Sequence, residues 1–180
     1  SMLHTRILGH SIQCFACIDS TQTTASIQEA NLPNGSLIIA DTQTLGRGRN
    51  LGSVWNDGGP EKSLLFTLIL RVPASQTIHV HGSVLQSLLI AIQRHANFHC
   101  IIKDPNDICI INPHLSSNLP QKVAGILLDC IQQTSSDTSH ILVGVGVNLK
   151  SFNSFSGLET NSSRESLLAA FLNVLEPFIC

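Results

Sequence analysis

The sequence predicts an α+β fold in which a mixed, largely antiparallel sheet is backed by helices. Seven segments have the short apolar or alternating pattern of strands, and three have the apolar spacing of helices. In the second half of the chain, strands follow one another with short turns between them, and only antiparallel neighbours can be joined in that way. The 180 residues contain no internal repeat and no linker, so we expect one domain over residues 1–180.

The composition argues against several classes of function. Apolar residues make up 43% of the chain and charged residues only 12%, which suits a packed domain and argues against disorder. The formal net charge is -2 and no basic face is evident, so we expect no nucleic-acid partner. The sequence shows neither an apolar run of membrane-spanning length nor a signal-peptide pattern. We therefore expect a cytoplasmic protein with no membrane partner.

The first elements are predicted as a strand, a helix and a second strand. Residues 11–18 have the composition of a strand, and three consecutive cap residues beginning at Asp19 precede a helix over about 22–31. Residues 36–40 form a short apolar run typical of a buried strand. The long segment 42–62 that follows is rich in glycine and poor in apolar residues. Long loops of this kind in compact domains are frequently functional.

The remaining elements alternate strand and helix patterns. In chain order they are a strand at 63–72, a helix at 79–97, strands at 99–103 and 107–112, a polar loop at 113–120, a strand at 121–132, a turn at 135–139, a strand at 140–149 and a helix at 164–178. Ser162 or Ser163 is expected to cap the last helix.

Six cysteines raise the question of a metal or redox site. Cys14 and Cys17 have the spacing of such a pair, but no second pair follows at a useful distance, and the two positions point to opposite faces of a strand. Four of the six, Cys100 and Cys130 among them, lie in apolar runs, where a buried reduced thiol is expected. We therefore assign no metal-ligating residues in the sequence.

Two motifs lie in loops, and each has a plain structural alternative. Gly46-Arg47-Gly48-Arg49 combines glycines, which let the backbone approach a ligand, with two guanidinium groups that bind carboxylate or phosphate. The alternative is a solvated surface loop. Pro105-Asn106-Asp107 predicts either a turn between two strands or oxygens presented to a ligand or metal.

Two further motifs lie in strands. Lys122 begins an apolar strand, which places its ammonium group at the sheet edge close to a pocket mouth, and the alternative is a lysine that snorkels to solvent. Gly144 and Gly146 lie in a strand that ends at Asn148, and they indicate close approach by a neighbour or ligand. This is not a dinucleotide-binding fingerprint, because a third glycine is missing and no helix follows directly.

In this order the motifs resemble the catalytic domain of biotin protein ligases. The resemblance runs from about residue 15 to about residue 148. It rests on Asp19-Ser20-Thr21, on Ala40-Asp41-Thr42-Gln43 with the glycine-arginine loop and Trp55, on Lys103-x-Pro105-Asn106-Asp107, on Lys122-Val-Ala-Gly125-Ile-Leu-Leu and on Gly144-x-Gly146-x-Asn148. The resemblance implies a fold related to that of class II aminoacyl-tRNA synthetases.

The resemblance also implies an activity. The implied enzyme is an ATP-dependent ligase that forms biotinyl-5'-AMP from biotin and ATP. It then transfers the biotin to a lysine of a biotin carboxyl carrier protein, a subunit of acetyl-CoA carboxylase. ATP and Mg²⁺ are the implied cofactors, biotin is the substrate, and a homodimer is one assembly that the resemblance allows.

Roles for individual residues follow from the same resemblance. Catalysis is assigned to Lys122, Arg49 and Arg47, with Lys122 holding the biotin carboxylate and the α-phosphate. Substrate binding is assigned to Ser20, Thr21, Gln43, Gly46, Gly48, Trp55 and Gly125. Nucleotide binding is assigned to Asn106, Asp107 and Asn148, with Asn148 as an adenine contact.

Three positions depart from the family pattern. Asp104 stands where tryptophan is usual, Ser53 where arginine is usual, and Gln22 where asparagine is usual. We expect no amino-terminal helix-turn-helix domain and no carboxy-terminal β-domain in the chain. Two rival functions stay open: a lipoate or octanoyl transferase of related fold, and a biotin-binding protein without catalysis. The glycine-arginine loop argues against the first, and the three cations argue against the second.

Overall fold

The computed structural model describes residues 2–49, 52–96, 98–111, 119–131 and 137–179. Most of the predicted loop at 113–120 and the start of the predicted turn at 135–139 lie outside these ranges. The strands are β1 (Ile12–Ile18), β2 (Leu37–Gln43), β3 (Ser63–Pro73), β4 (His99–Lys103), β5 (Asp107–Ile111), β6 (Gln121–Ile131) and β7 (Thr138–Asn148). The helices are α1 (Thr21–Gln28), α2 (Thr77–Gln93) and α3 (Arg164–Ile179).

The seven strands form one sheet in the order β1-β2-β3-β7-β6-β5-β4. β1 and β2 pair in parallel, with α1 as their crossover, and every other neighbouring pair in the described chain is antiparallel. The predicted α+β class, with a mixed and largely antiparallel sheet backed by helices, is confirmed. The order of elements along the chain also matches the prediction.

Capping residues explain where two helices begin. The Ser20 hydroxyl accepts the backbone N–H of Thr23 at 3.4 Å, so α1 begins directly after it. The helix continues to Asn31 only as a turn of 3-10 helix over Glu29–Asn31. Of the two predicted caps for α3, Ser163 is the one used, since its hydroxyl accepts the N–H of Ser166 at 3.2 Å.

Alternation along the strands assigns each residue to one of two faces. In β3, the side chains of Leu64, Phe66, Leu68 and Leu70 join the large apolar core beneath α2 and α3, where the Phe66 and Phe171 rings lie 5.6 Å apart. We call this the helix-pair face. Ile69 packs on the opposite side against Ala25 of α1, which we call the cavity face. None of the helices in the described ranges has the length and apolar character of a bilayer crossing.

The cysteines divide between buried and exposed positions. Cys100 and Cys109 are buried, as their apolar surroundings predict, and burial raises the pKa of both thiols. The predicted burial of Cys130 is wrong, because its side chain is exposed. The physical reason is that β5 pairs with β6 only as far as Gly125, so the last part of β6 has no neighbouring strand on that side.

Candidate active site

A cavity opens on the cavity face of the sheet. It lies between the amino-terminal end of α1, the glycine-arginine loop and the centres of β6 and β7. Its lining residues are Ser20, Thr21, Gln22, Gln43, Arg47, Gly48, Arg49, Trp55, Leu65, Asn106, Lys122, Gly125, Ile126, Leu127, Gly144, Val145 and Gly146. The sequence motifs that stood far apart in the chain therefore meet at one place.

Glycines form the floor of this cavity. Gly125 of β6 and Gly146 of β7 are direct cross-strand partners, and the Trp55 indole lies across both. A Cβ atom would stand 2.6 Å from that indole if added at Gly146 and 3.2 Å from it at Gly125. At Gly144 a Cβ would stand 2.6 Å from Gln22 Oε1. The close approach predicted at Gly144 and Gly146 is thus confirmed, and the approaching groups are protein side chains.

One end of the cavity is lined by the hydrogen-bonding side chains of Thr21, Gln22 and Gln43, and we call it the polar end. The backbone N–H of Thr21 donates to Gln43 Oε1 at 2.7 Å. The fully buried Thr67 hydroxyl lies 3.0 Å from Thr21 Oγ1 and 3.1 Å from Gln22 Oε1. Gln22 Nε2 in turn donates to Asp129 Oδ2 at 3.1 Å. These bonds fix the direction of each side chain before any ligand arrives.

The other end holds the ammonium group of Lys122, and we call it the cationic end. Lys122 Nζ lies 2.7 Å from Asp107 Oδ1 and 5.3 Å from the centroid of the Trp55 ring. The predicted position at the sheet edge is wrong, because β6 lies between β5 and β7. A β-bulge in the β5–β6 pairing instead turns Lys122 toward the cavity that Gly125 also faces.

The glycine-arginine loop folds back on itself above the cavity. The N–H of Trp55 donates to the Gly46 carbonyl at 2.8 Å, and the N–H of Gly48 donates to the Ser53 carbonyl at 3.0 Å. The Arg47 guanidinium extends to Asp129, with 2.9 Å between Nη1 and Oδ2. Arg49 also lines the cavity, and in the described part of the chain no carboxylate lies within ion-pair distance of it.

Two of the three predicted catalytic residues, Arg47 and Lys122, lie at different ends of the cavity. Lys122 Nζ lies near Gly125, whereas the partner of Arg47 is Asp129, four residues further along β6. Four strand residues span roughly 13 Å. Arg47 therefore belongs with the polar end in this conformation.

The predicted nucleotide-binding residues take three different positions. Asn106 lines the cavity, with its Nδ2 donating to the Ile126 carbonyl at 2.9 Å. Asp107 lies behind Lys122 as its ion-pair partner. Asn148 is 2% exposed, its Nδ2 donates to the Ser156 carbonyl at 3.2 Å, and it lies outside the cavity lining. Among the predicted substrate-binding residues, Gly46 is likewise outside the lining and supports Trp55 from behind.

Sequence reasoning missed two polar residues that support the lining from outside. Thr67 holds Thr21 and Gln22, and Asp129 holds Gln22 and Arg47. Each is a polar residue with apolar neighbours on both sides within its strand, and that pattern is the signal that could have identified them. Asp104, which stands where the family usually has tryptophan, is exposed and does not line the cavity.

A site for Mg²⁺ is only partly provided by the protein. In the ranges that the structure describes, no three His, Cys, Asp or Glu side chains are grouped for metal binding. Mg²⁺ is commonly held by one or two carboxylates together with the phosphates of a nucleotide. Asp107 offers one carboxylate beside the cavity, so a magnesium ion would fit here only with phosphate ligands.

Sequence comparison places this site in a known family. A family model described as the biotin/lipoate A/B protein ligase family matches residues 14–148. The chain belongs to this family. A bifunctional ligase/repressor BirA from Bacillus spizizenii is 31% identical over 150 residues, which cover 82% of this chain and 43% of the relative. The chain thus spans less than half the length of this curated relative.

Solved structures with the same fold include two biotin protein ligases. The biotin acetyl coenzyme A carboxylase synthetase from Helicobacter pylori, crystallised with biotinylated ATP, has a TM-score of 0.68 and 23% identity, over 94% of this chain and 75% of that one. The biotin protein ligase from Leishmania major in complex with biotinyl-5-AMP has a TM-score of 0.70 and 17% identity, over 93% and 74%. The predicted resemblance to a biotin protein ligase catalytic domain is confirmed.

Proposed function

We propose that this chain is the catalytic domain of a biotin protein ligase. It joins biotin to AMP at the expense of ATP and then transfers the biotin to a lysine of a biotin carboxyl carrier protein. The proposal is supported by membership of the biotin/lipoate A/B protein ligase family, by similarity to a relative named as a bifunctional ligase/repressor, and by a fold shared with a solved biotin protein ligase.

One observation carries the proposal: the polarity of the cavity changes along a single strand. Gln22 lies over Gly144, and Trp55 lies over Gly146 two residues further on, with the Lys122 ammonium beyond it. Biotin has the same sequence of properties. A neutral ureido ring would meet the polar end, an aliphatic chain would cross the indole, and a carboxylate would reach the ammonium.

An unsatisfied donor in the site also favours a ligand that brings oxygen atoms. The indole N–H of Trp55 is buried and has no hydrogen-bond acceptor among the described residues. A buried donor without a partner costs on the order of 1–3 kcal/mol. A bound carboxylate or phosphate oxygen within reach would remove that cost.

The first step joins two anions, so cations must offset their repulsion. A carboxylate oxygen of biotin attacks the α-phosphorus of ATP, the bond from that phosphorus to the bridging oxygen breaks, and pyrophosphate leaves. Lys122 stabilises the charge that develops on the α-phosphate and orients the carboxylate. The ammonium now paired with Asp107 at 2.7 Å would share its protons between that carboxylate and the ligand. Mg²⁺, bound with the phosphates, would neutralise the pyrophosphate.

The second step needs no further cation. The neutral amine of the acceptor lysine attacks the carbonyl carbon of the mixed anhydride, the carbon–oxygen bond to AMP breaks, and the amine loses a proton as the amide forms. Because water would also hydrolyse the anhydride, a loop folded over the cavity protects it. The glycine-arginine loop, with Arg49 facing the cavity, suits this role.

The test is to incubate the protein with biotin, ATP and Mg²⁺, and to measure biotinyl-AMP and pyrophosphate. A carrier domain is then added and its biotinylation followed. Parallel reactions contain lipoate or octanoate in place of biotin. We expect adenylate from biotin only. Adenylate from lipoate or octanoate but not from biotin would overturn the choice of biotin and favour a lipoate-type activity within the same family.

Ligand-induced stabilisation separates catalysis from simple binding. With biotin and ATP together, the enzyme builds its own tightly bound adenylate, and a ligand at a hundredfold excess over its dissociation constant stabilises by about 2.7 kcal/mol. We therefore expect biotin plus ATP to raise the melting temperature far more than either compound alone. A biotin-binding protein without catalysis would show the biotin shift alone, whether or not ATP is present.

A further inference from the structure

An ion pair joins the glycine-arginine loop to β6 beside the polar end of the cavity. Asp129 Oδ2 lies 2.9 Å from Arg47 Nη1 and accepts Gln22 Nε2 at 3.1 Å, so one carboxylate oxygen joins the loop to α1. Arg47 and Gln22 line the cavity, but Asp129 lies outside the lining. The carboxylate therefore supports two lining side chains from a position outside the lining.

The position of this ion pair conflicts with a phosphate-binding role for Arg47. Along β6, the backbone of Asp129 lies four residues, or roughly 13 Å, from that of Gly125, beside which the Lys122 ammonium lies. The bond to Asp129 therefore holds the Arg47 guanidinium toward the polar end, whereas the ammonium group of Lys122 marks the cationic end.

We infer that the Arg47–Asp129 pair is a clamp that fastens the described parts of the glycine-arginine loop, residues 46–49 and 52–55, at the polar end of the cavity. Asp129 is then a positioning residue that acts through Arg47 on ligand retention. The identity of the retained ligand rests on the proposed function. The clamp itself rests only on the geometry of the Arg47–Asp129 pair.

The hydrogen bonds inside the loop explain how one pair can hold it. The bonds from Trp55 N–H to the Gly46 carbonyl and from Gly48 N–H to the Ser53 carbonyl tie both sides of the loop together. Arg47 lies between these two bonds, so fixing its side chain restrains both sides. Trp55, whose indole lies across the glycines of the cavity floor, is tied to the loop by the first of these bonds.

The ion pair is half exposed, which limits the size of the effect. The side chains of Arg47 and Asp129 are 45% and 32% exposed. Pairs of this kind are individually weak, so we expect release rates to change by about two- to fivefold when one partner is removed. An effect of that size suits a loop that must open in every catalytic cycle.

The test is Asp129→Asn, which removes the charge and keeps the size of the side chain. In the ligand-free protein, the amides of Gly48 and Trp55 should exchange with solvent about two- to fivefold faster. Biotin should dissociate faster by a similar factor, while the rate of adenylate formation at saturating substrates stays unchanged. The matched control is Asp41→Asn, because Asp41 forms an equivalent pair with Arg164 at 2.8 Å away from this cavity. That control should change neither the exchange nor the release.

A double variant shows whether Asp129 acts through Arg47. In an Arg47→Gln background, Asp129→Asn should increase neither amide exchange nor biotin release any further. Asp129→Glu in the otherwise unmodified protein keeps the charge, so its exchange and release should be slower than those of Asp129→Asn. Unchanged amide exchange in Asp129→Asn, or a lowered adenylation rate with unchanged release, would overturn the clamp. If the amides respond as expected but the unmodified protein binds no biotin, the clamp stands and the proposed function fails.

Discussion

The two faces of the sheet differ in what covers them. On the helix-pair face, α2 and α3 bury a large continuous apolar core that includes Phe66 and Phe171. On the cavity face, α1 covers only a small apolar cluster around Ala25, Ile38, Ile69 and Leu142, and polar side chains take the remaining area. Successive residues of one strand point to opposite faces, so a residue of the apolar core and a residue of the cavity face can be direct neighbours in sequence.

This difference predicts that substitutions on the two faces will have separate consequences. A change on the helix-pair face should lower the free energy of unfolding and leave the ligand chemistry of the folded protein intact. A change on the cavity face should alter ligand binding or chemistry and leave the free energy of unfolding close to that of the unmodified protein. The following variants test that division, from the largest expected effect to the smallest.

The largest effect is expected for Phe171→Ala on the helix-pair face. Phe171 is fully buried against Phe66, and truncation of a buried phenylalanine costs about 3–5 kcal/mol of unfolding free energy. Chemical denaturation measures the loss. The control is Phe178→Ala in the same helix, which should cost far less because Phe178 is 62% exposed. Equal losses from the two variants would show that the helix pair is not the main core.

The next largest effect is expected for Lys122→Ala on the cavity face. Loss of one preorganised charge at a transition state costs on the order of 3–4 kcal/mol of activation free energy. Pyrophosphate release should therefore fall by two to three orders of magnitude, while the melting temperature stays close to that of the unmodified protein. Lys150→Ala, at an exposed lysine outside the cavity, is the matched control. Near-normal pyrophosphate release by Lys122→Ala would contradict the proposal that Lys122 stabilises charge on the α-phosphate.

A smaller effect is expected for Arg49→Gly in the loop. Arg49 faces the cavity, and a hydrogen bond to a charged group is worth about 1.5–3 kcal/mol. Biotinyl-AMP should therefore dissociate faster by more than tenfold, while biotin binding stays measurable. Because Arg47 is clamped elsewhere, Arg47→Gln should accelerate release less than Arg49→Gly does. The reverse ranking would place Arg47, and not Arg49, at the phosphate.

The smallest effect concerns Glu176 on the helix-pair side and depends on pH. Burial opposes ionisation of this carboxyl, but backbone N–H groups of Leu8, Arg6 and Ile7 donate to it and hold its pKa below the ordinary value. A carboxyl with a lowered folded pKa contributes stability above its ordinary pKa, and that contribution is lost as the pH falls through the lowered value.

The matching variant is Glu176→Gln, which cannot ionise. It should be less stable than the unmodified protein at neutral pH, and the gap in unfolding free energy should close at a pH below the ordinary carboxyl range. A gap that stays constant with pH would mean that the hydrogen bonds, and not the charge, hold residues 6–8 on α3. Ligand release should be the same in both proteins, because Glu176 is remote from the cavity.

Local chemistry explains why most elements were predictable. The apolar run of β3 and the helical spacing of α2 fix their own conformation, and Ser20 fixes the start of α1 through its own side chain. The boundaries that shifted lie where tertiary contacts end an element. Predicted to reach residue 97, α2 ends at Gln93, and the exposure of Cys130 follows from the length of a strand distant in sequence.

The candidate site was predictable in membership but not in arrangement. Fourteen of its lining residues stand in recognisable motifs: Ser20, Thr21, Gln43, Arg47, Gly48, Arg49, Trp55, Asn106, Lys122, Gly125, Ile126, Leu127, Gly144 and Gly146. No local pattern could show that Gly125 faces Gly146, because that pairing depends on the register of two strands. The bulge that turns Lys122 inward arises in the same way, from the pairing of β5 with β6.

The sequence alone therefore determined the elements, the fold class and the motifs, because these depend on residues close together in the chain. Only the tertiary structure decided how the charges are distributed. Two arginines two residues apart in the loop are alike as sequence, yet Asp129, 82 residues away, takes Arg47 to the polar end. Arg49 has no carboxylate within ion-pair distance among the described residues and remains available to a ligand. Long-range electrostatic pairing depends on which strands are neighbours, and that is settled only when the sheet has formed.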